Sequence, residues 1–447
     1  MNFDFLKYCL GNEVDMKELV AKMDWRQLYD FAKKQAIVGF CFESIERLGN
    51  VYPEELGKNP IGQDLLMEWM GKAQQIRRRN MKVNVVAGRL YSQLRKDDLR
   101  CCVLKGQGNA LMYPEPYSRT PGDIDVWVNE ERASLTEYAK EHFALGDDIR
   151  YHHLETSMDG VPVELHFMPC IMNNVVYNLR LQRWFKRNAD LQCSNVVELP
   201  DDAGEIAVPT TAFNVIYQLT HLYHHFFDEG IGMRQIIDYY FVVNDFYKVK
   251  ENYTKITPSL FTIKEGSTSH PDPLTLRGEG ETAPTRRSEP LRSKVGGPSE
   301  VSPECLCGVN RLAESLLATA DSSLATADTV MATDVLEALQ RELKHLGLFK
   351  FAGAVMYVLH EVLGLAEEKM IVPMDEKRGR LLLSEILNGG NFGKHFSKYG
   401  HFTQQGMAKK YFLKIWRNMH FVRCYPAEAL SEPVFRTWHF LWRMLQK

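Results

Sequence analysis

The side chains with the clearest chemical potential in this sequence are three acids, Asp123, Asp125 and Glu164. Asp123 and Asp125 begin a segment that alternates polar and apolar residues, so a β-strand would place both carboxylates on one face, about 6.6 Å apart along the backbone. Neighbouring carboxylates repel each other unless a cation lies between them. Their oxygen atoms favour Mg²⁺ (or Mn²⁺) over zinc, and flexible carboxylates at this spacing can hold two ions about 3.5–4 Å apart, as in phosphoryl transfer.

Glu164 lies in a predicted hairpin. Asp159-Gly160 separates two strand-like runs and is a strong signal for a tight turn, because both central positions of the favoured turn need positive φ. The second run, 161–167, alternates so that Glu164 and His166 share the face opposite to its apolar side chains. If that face adjoins the aspartates, Glu164 completes a three-carboxylate site and can also orient or deprotonate an incoming hydroxyl.

Two further segments are suited to binding phosphate. Lys105-Gly106 follows a short apolar strand, where exposed backbone N–H groups, a glycine and a lysine together suit phosphate oxygens. Arg119, four residues before Asp123, is close enough to add a bidentate phosphate contact. Each of these signals taken alone has a plain structural explanation, namely a turn, a surface charge or a solvated edge strand. Their order along the predicted elements favours the functional interpretation.

The elements that must position these residues form a small α/β unit between helical regions. We predict an α+β fold in which a small mixed β-sheet core is flanked by helices at both ends. The predicted regions are an N-terminal helical region (1–96), the α/β core (97–190), a second helical region (191–255), a low-complexity insertion (256–330) and a C-terminal helical region (331–447). The insertion holds seven of the nineteen prolines and a repeated Leu-Ala-Thr-Ala-Asp, and such a composition predicts disorder.

Composition restricts the class of protein. Lys and Arg total 54 against 57 Asp and Glu, so there is no basic excess to hold a nucleic acid, although a local patch would suffice for one. Because no apolar stretch approaches the length of a membrane span and the N-terminus lacks a basic region, we expect neither a membrane protein nor a secretory signal. Nine cysteines without framework spacing fit a cytoplasmic protein.

These motifs resemble those of the uncharacterised nucleotidyltransferases of the polymerase-β-like superfamily. The resemblance rests on Leu104-Lys105-Gly106, Leu111-Met-Tyr113-Pro114, Arg119, Gly122-Asp123-Ile-Asp125 and Glu164-Leu-His166, and continues through His221, His224, Gly232-Met-Arg234-Gln, Asp238 and Gly390-Asn-Phe-Gly393. It implies a mixed-sheet catalytic core, metal-dependent transfer of a nucleoside monophosphate, and Asp123, Asp125 and Glu164 as metal ligands. The chain departs from the pattern at Gly106-Gln107, where many members carry Gly-Ser.

Three hypotheses follow. The first is an enzyme, a Mg²⁺-dependent nucleotidyltransferase that uses a nucleoside triphosphate and an unknown acceptor, with Lys105, Gly106 and Arg119 on the phosphates. The second is a non-catalytic nucleotide-binding or regulatory protein, and the third a toxin-like transferase that modifies tRNA or a protein. The intact acids favour the first over the second, and the charge balance disfavours tRNA as acceptor.

His221, His224 and His225 have spacings that place them on one helical face, where a pair four residues apart can bind zinc. Packing, or contact with the nucleotide, is the preferred interpretation, and Arg234 is a similar candidate.

Overall fold

The computed structural model describes residues 3–146, 150–261, 332–395 and 407–446. It has the predicted α+β architecture, with a four-stranded mixed sheet among helices. Six helices precede the sheet: α1 Asp4–Cys9, α2 Lys17–Lys22, α3 Trp25–Gln35, α4 Val38–Val51, α5 Pro53–Lys58 and α6 Gln63–Lys96. The last of these is 34 residues long and leads directly into the sheet.

The sheet is built from β1 Cys101–Leu104, β2 Ile124–Val128, β3 His153–Met158 and β4 Val161–His166, in the order β1-β2-β4-β3. Strands β2 and β4 pair in parallel at its centre, while β1 and β3 lie antiparallel at the two edges. Short helix α7 Gly106–Ala110 follows β1, and α8 Arg132–His142 connects β2 to β3. The predicted hairpin turn is present, with φ of +52° at Asp159 and +73° at Gly160.

The two faces of the sheet have different partners. On one face, Val126 and Val163 belong to a hydrophobic cluster that also contains Val86 and Leu90 of α6. The opposite face turns towards α9 Val175–Ser194 and α10 Thr211–Asp228, where Trp127 stacks on Phe213. Since side chains alternate along a strand, the residues of β2 and β4 that share a face with Trp127 are directed towards α10.

The region after the sheet contains more than the predicted helices. Two short strands, β5 Val196–Glu198 and β6 Glu205–Ala207, form a separate hairpin within the region expected to be helical. Three-residue strands are too short to show a periodicity, which is why the sequence pattern did not indicate them. Helix α11 Met233–Phe261 continues six residues into the predicted insertion, and 262–331 lie outside the described residues.

The described residues after 331 are mainly helical. The helices are α12 Ala332–His345, α13 Phe349–Leu363, α14 Glu376–Gly389, α15 Met407–Met419 and α16 Pro426–Gln446. One hydrophobic core joins them to the N-terminal helices and to the α10 face of the sheet, from Phe5 through Phe213 to Phe421. Within the parts of the chain that the structure describes, no helix has the length and apolar character needed to cross a membrane.

Glu342 of α12 provides a test of the packing of the C-terminal helices. It is 8% exposed, and burial raises its pKa to about 7 from 4.5, with Arg187 opposing the effect. The folded chain therefore binds this proton between pH 4.5 and 7, where the unfolded chain has lost it, so stability decreases as pH rises through that window. We expect the free energy of unfolding of the wild type to fall by about 3 kcal/mol more than that of Glu342→Gln between pH 4.5 and 8.

Urea unfolding at several pH values measures this difference. Glu337→Gln, on the same helix but with a side chain that is 66% exposed, is the matched control and should behave like the wild type. Parallel pH profiles for the wild type and Glu342→Gln would contradict the placement of Glu342 in the core.

Candidate active site

Asp125 and Glu164 are neighbours across the two parallel strands at the centre of the sheet. Asp125 on β2 pairs in register with Glu164 on β4. One oxygen of each carboxylate and one ring nitrogen of His166 lie within 4.8 Å of one another. His166 Nε2 is 3.2 Å from Asp125 Oδ1 and 3.1 Å from Glu164 Oε2. The structure therefore brings two of the three predicted acids together, with an imidazole between them.

Asp123 has a different environment. It lies just before β2, which begins at Ile124, and it is exposed. Its carboxylate is not part of the potential metal-binding groups found among the described residues. It is nevertheless close enough for its charge to act on Lys105 and on Glu164, since it helps to raise the pKa of each. Asp123 is thus a solvent-facing acid at the edge of the Asp125–Glu164 pair, of which Asp125 is buried and Glu164 half-buried.

Lys105 and Gly106 form the turn between β1 and α7. Both have positive φ, +45° and +49°, so the chain reverses sharply and Lys105 is directed back over the sheet. Its Nζ lies 2.9 Å from Asp125 Oδ1 and 2.7 Å from His221 Nε2 of α10. A Cβ on Gly106 would meet the Asp123 carbonyl oxygen at 3.8 Å. The predicted phosphate-binding turn therefore lies beside the acids.

The protonation states at the site follow from burial and from opposite charges. Burial alone would raise the pKa of Asp125, but the ammonium of Lys105 and the hydrogen bond with His166 hold that pKa well below its usual range. Burial lowers the pKa of His166, yet its contacts with Asp125 and Glu164 raise it to about 9. Burial raises the pKa of Glu164. Asp125 is therefore ionised, and two cationic side chains compensate its charge.

Arg119 is held by a residue far along the chain. Its Nε and Nη2 donate to the two carboxylate oxygens of Asp238 on α11, each at 2.8 Å, and Tyr113 donates to the same carboxylate at 2.7 Å. Arg119 is 5% exposed and Asp238 is 4% exposed. The bidentate partner of Arg119 in this structure is thus Asp238, and the nitrogen that this carboxylate does not engage is Nη1, which is buried and has no hydrogen-bond partner.

The motifs around Gly232 and Gly390 pack behind the loop that leads to Asp123. Arg234 Nη1 donates to the carbonyl of Thr120 at 3.0 Å, and its guanidinium lies over the ring of Phe392 at 5.5 Å. A Cβ on Gly232 would lie 2.7 Å from the Cα of Asn391, so only glycine permits this approach. Arg234 therefore positions the loop that leads to Asp123.

Histidines surround the acids on two sides. From α10, His221 contacts Lys105, and His225 Nε2 lies 3.0 Å from His221 Nε2. From the start of β3, His153 Nδ1 lies 3.5 Å from Glu164 Oε2 and 3.1 Å from His152 Nε2. The sequence singled out the α10 histidines but not His152 and His153, whose only signal was a histidine doublet near the start of a predicted strand.

Chemically, the arrangement combines two carboxylates, one lysine and a set of imidazoles on one face of a sheet. The carboxylates of Asp125 and Glu164 offer oxygen atoms to a divalent cation, and Lys105 offers a positive charge beside them. A glycine turn gives a ligand access to the backbone at the same place. Such a site can bind a polyphosphate and position its reacting group.

Comparison with known proteins agrees with this geometry. The model of an uncharacterised nucleotidyltransferase family matches residues 21–254, slightly more than half of the chain, and includes every residue named at the site except Gly390, Asn391 and Phe392. No curated protein and no solved structure matches the chain. The matched segment contains the whole four-stranded sheet together with α10. This protein therefore belongs to the uncharacterised nucleotidyltransferase family.

Proposed function

We propose that the protein transfers a nucleoside monophosphate from a nucleoside triphosphate to an acceptor, in a reaction that depends on Mg²⁺ (or Mn²⁺). The observation that carries the proposal is the register pairing of Asp125 with Glu164 beside Lys105, whose Nζ is 2.9 Å from Asp125 Oδ1. An acceptor oxygen would attack the α-phosphorus, the bond from that phosphorus to the β-bridging oxygen would break, and pyrophosphate would leave.

The donor set fits a divalent ion. Asp125 and Glu164 present oxygen atoms within 4.8 Å of each other, and Asp123 adds a third carboxylate at the exposed edge. These three acids would hold the metal, which when bound would neutralise charge that develops on the phosphates. Because burial raises its pKa, Glu164 is the acid best suited to accept the proton of an incoming hydroxyl.

The phosphates would contact the β1–α7 turn. Lys105 places a cation next to the acids, and Gly106, which has no side chain, lets a ligand approach the backbone of the turn, where the N–H groups of Gly108 and Asn109 already donate to the Lys105 carbonyl. Arg119 would contribute at most its Nη1, since Asp238 holds its other two nitrogens. Its larger contribution would be to fix the segment that ends at Asp123.

Lys105→Ala tests the phosphate contact. We expect it to weaken Mg²⁺-dependent binding of a nucleoside triphosphate about ten- to a hundredfold, because a charge-assisted hydrogen bond is worth about 1.5–3 kcal/mol. Isothermal titration calorimetry with each of the four common triphosphates measures the affinity. Lys140→Ala, which removes an exposed lysine of α8, should bind like the wild type. Equal affinity in the two variants would show that Lys105 does not contact the nucleotide.

One observation favours a second candidate function. Lys105 already forms an ion pair with Asp125, which is the arrangement expected of a nucleotide-binding relative that needs no metal. Such a protein would bind triphosphates equally well with and without Mg²⁺, and binding would survive the loss of Asp123 and Asp125 together. The transferase would lose the Mg²⁺-dependent part of its affinity in that double variant.

A further inference from the structure

We propose that His152, His153 and His166 form a second cation site, specific for a transition metal such as Zn²⁺, next to the acids of the candidate active site. One ring nitrogen of each histidine lies within 4.8 Å of the others, and His152 Nε2 is 3.1 Å from His153 Nδ1. Zinc binds imidazole nitrogen at about 2.0–2.1 Å, so nitrogens around a tetrahedral ion lie about 3.3 Å apart. The three rings are close to the spacing that such an ion requires.

The β3–β4 hairpin fixes this arrangement. His153 is the first residue of β3 and His166 is the last residue of β4, and the antiparallel register places them opposite each other. Their ring centroids are 4.8 Å apart, and the ring of His152 is 5.5 Å from that of His166. Because the ligands come from paired strands and not from a loose loop, the site would be preorganised.

Some buried ring nitrogens of this histidine group have no hydrogen-bond partner in the protein. His153 is 6% exposed. Its Nδ1 faces His152 and Glu164, and its Nε2, which has no hydrogen-bond partner, lies 3.8 Å from Glu155 Oε1. His224 of α10, whose ring lies 6.1 Å from that of His152, also has a buried nitrogen without a partner, Nδ1. Buried polar atoms are normally hydrogen-bonded. If these positions only filled the core, apolar side chains would stabilise it more than imidazoles without partners. A cation bound on the Nδ1 side of His153 would leave Nε2 directed towards the Glu155 carboxylate, which is the usual arrangement of a metal-bound histidine, and accounts for this cluster.

The donor chemistry separates this site from a magnesium site. Imidazole nitrogens favour zinc, copper, iron or nickel, whereas Mg²⁺ prefers oxygen. Glu164 Oε2 lies 3.5 Å from His153 Nδ1, so one carboxylate adjoins both sites. Three imidazoles leave a fourth tetrahedral position open, which is typical of zinc sites that bind an exchangeable oxygen ligand. The histidine site depends on the β3–β4 hairpin and not on nucleotide transfer. Zinc binding and nucleotidyl transfer can therefore be disproved separately.

Zinc binding to the full-length protein, stripped of metal with a chelator, tests the proposal. We expect one Zn²⁺ per chain by competition with a chromophoric chelator, and a visible Co²⁺ spectrum of tetrahedral type. His153→Asn and His152→Ala should each weaken Zn²⁺ binding about a hundredfold or more, since even partners outside the ligand shell are worth 10- to 100-fold. The exposed His142→Ala should have no effect, and thermal unfolding would verify that each variant is folded.

Two further variants locate the ion. His221→Ala removes a histidine of the α10 group, and Asp125→Asn keeps a hydrogen-bond acceptor for His166 while removing a magnesium ligand. Both should retain Zn²⁺, and Asp125→Asn should at the same time lose Mg²⁺-dependent nucleotide binding. Absence of stoichiometric Zn²⁺ binding by the wild type would overturn the proposal. So would Zn²⁺ binding that is lost in His221→Ala but kept in folded His152→Ala and His153→Asn.

Discussion

Asp125→Asn is expected to lower the rate of nucleotidyl transfer about a thousandfold while leaving the chain folded. The amide has the shape of the carboxylate and still accepts hydrogen bonds from Lys105 and His166, whose partner atom is Asp125 Oδ1. It lacks the negative charge that a divalent cation needs, and a thousandfold corresponds to about 4 kcal/mol of transition-state stabilisation. The release of pyrophosphate from a triphosphate, in the presence of a cell extract as source of acceptor, measures the rate.

Asp190→Asn provides a matched control, because it makes the same substitution at an exposed aspartate that pairs with Arg100. Its rate should equal that of the wild type. A circular dichroism spectrum and a melting curve would establish that Asp125→Asn is folded. A folded Asp125→Asn protein with more than a tenth of the wild-type rate would show that Asp125 is not a metal ligand of the reaction.

Arg119→Met is expected to reduce the free energy of unfolding by about 3–5 kcal/mol, because it leaves the Asp238 carboxylate buried without its main cationic partner. Asp238 is 4% exposed and receives two hydrogen bonds from Arg119. Burial would raise the pKa of Asp238, and Arg119 is the main reason that this pKa is lowered instead. Urea denaturation of the wild type and the variant measures the loss.

The double variant Arg119→Met/Asp238→Asn distinguishes a buried ion pair from a simple packing contact. Once both charges are removed, the decrease in the free energy of unfolding should be smaller than the sum of the decreases in Arg119→Met and Asp238→Asn. The difference gives the coupling energy between the two side chains. A loss below about 1 kcal/mol in Arg119→Met, the range of an exposed pair, would mean that Arg119 is free to serve as a phosphate ligand instead.

The sheet and its turn could be predicted because their signals are local. Asp159-Gly160 meets the φ requirement of a hairpin turn, and the alternation in 161–167 places Glu164 and His166 on one face, where the structure has both near Asp125. The turn at Lys105 was also predictable from a buried run that ends in glycine. In each case the relevant contacts lie within a few residues or in adjacent strands.

The remaining features depend on contacts between distant segments, which a sequence does not display. Asp238 belongs to the motifs that carry the family resemblance, but nothing near it in the sequence indicates that α11 brings it to Arg119, 119 residues away. Asp123 and Asp125 look equivalent in an alternating segment, yet β2 begins between them, so one is exposed and the other buried. His153 acquires its importance only through its register with His166.

The fate of the α-phosphorus distinguishes nucleotidyl transfer from nucleotide binding without turnover. The protein would be incubated with Mg²⁺, a cell extract and a nucleoside triphosphate labelled at either the α- or the γ-phosphorus, with Asp123→Ala as the inactive comparison. We expect the α-label to move to an acceptor and the γ-label to leave as pyrophosphate, and we expect both events to require Mg²⁺ and to be lost in Asp123→Ala. Tight binding of the triphosphate without Mg²⁺, unchanged in Asp123→Ala and with neither label displaced in any extract, would contradict this expectation.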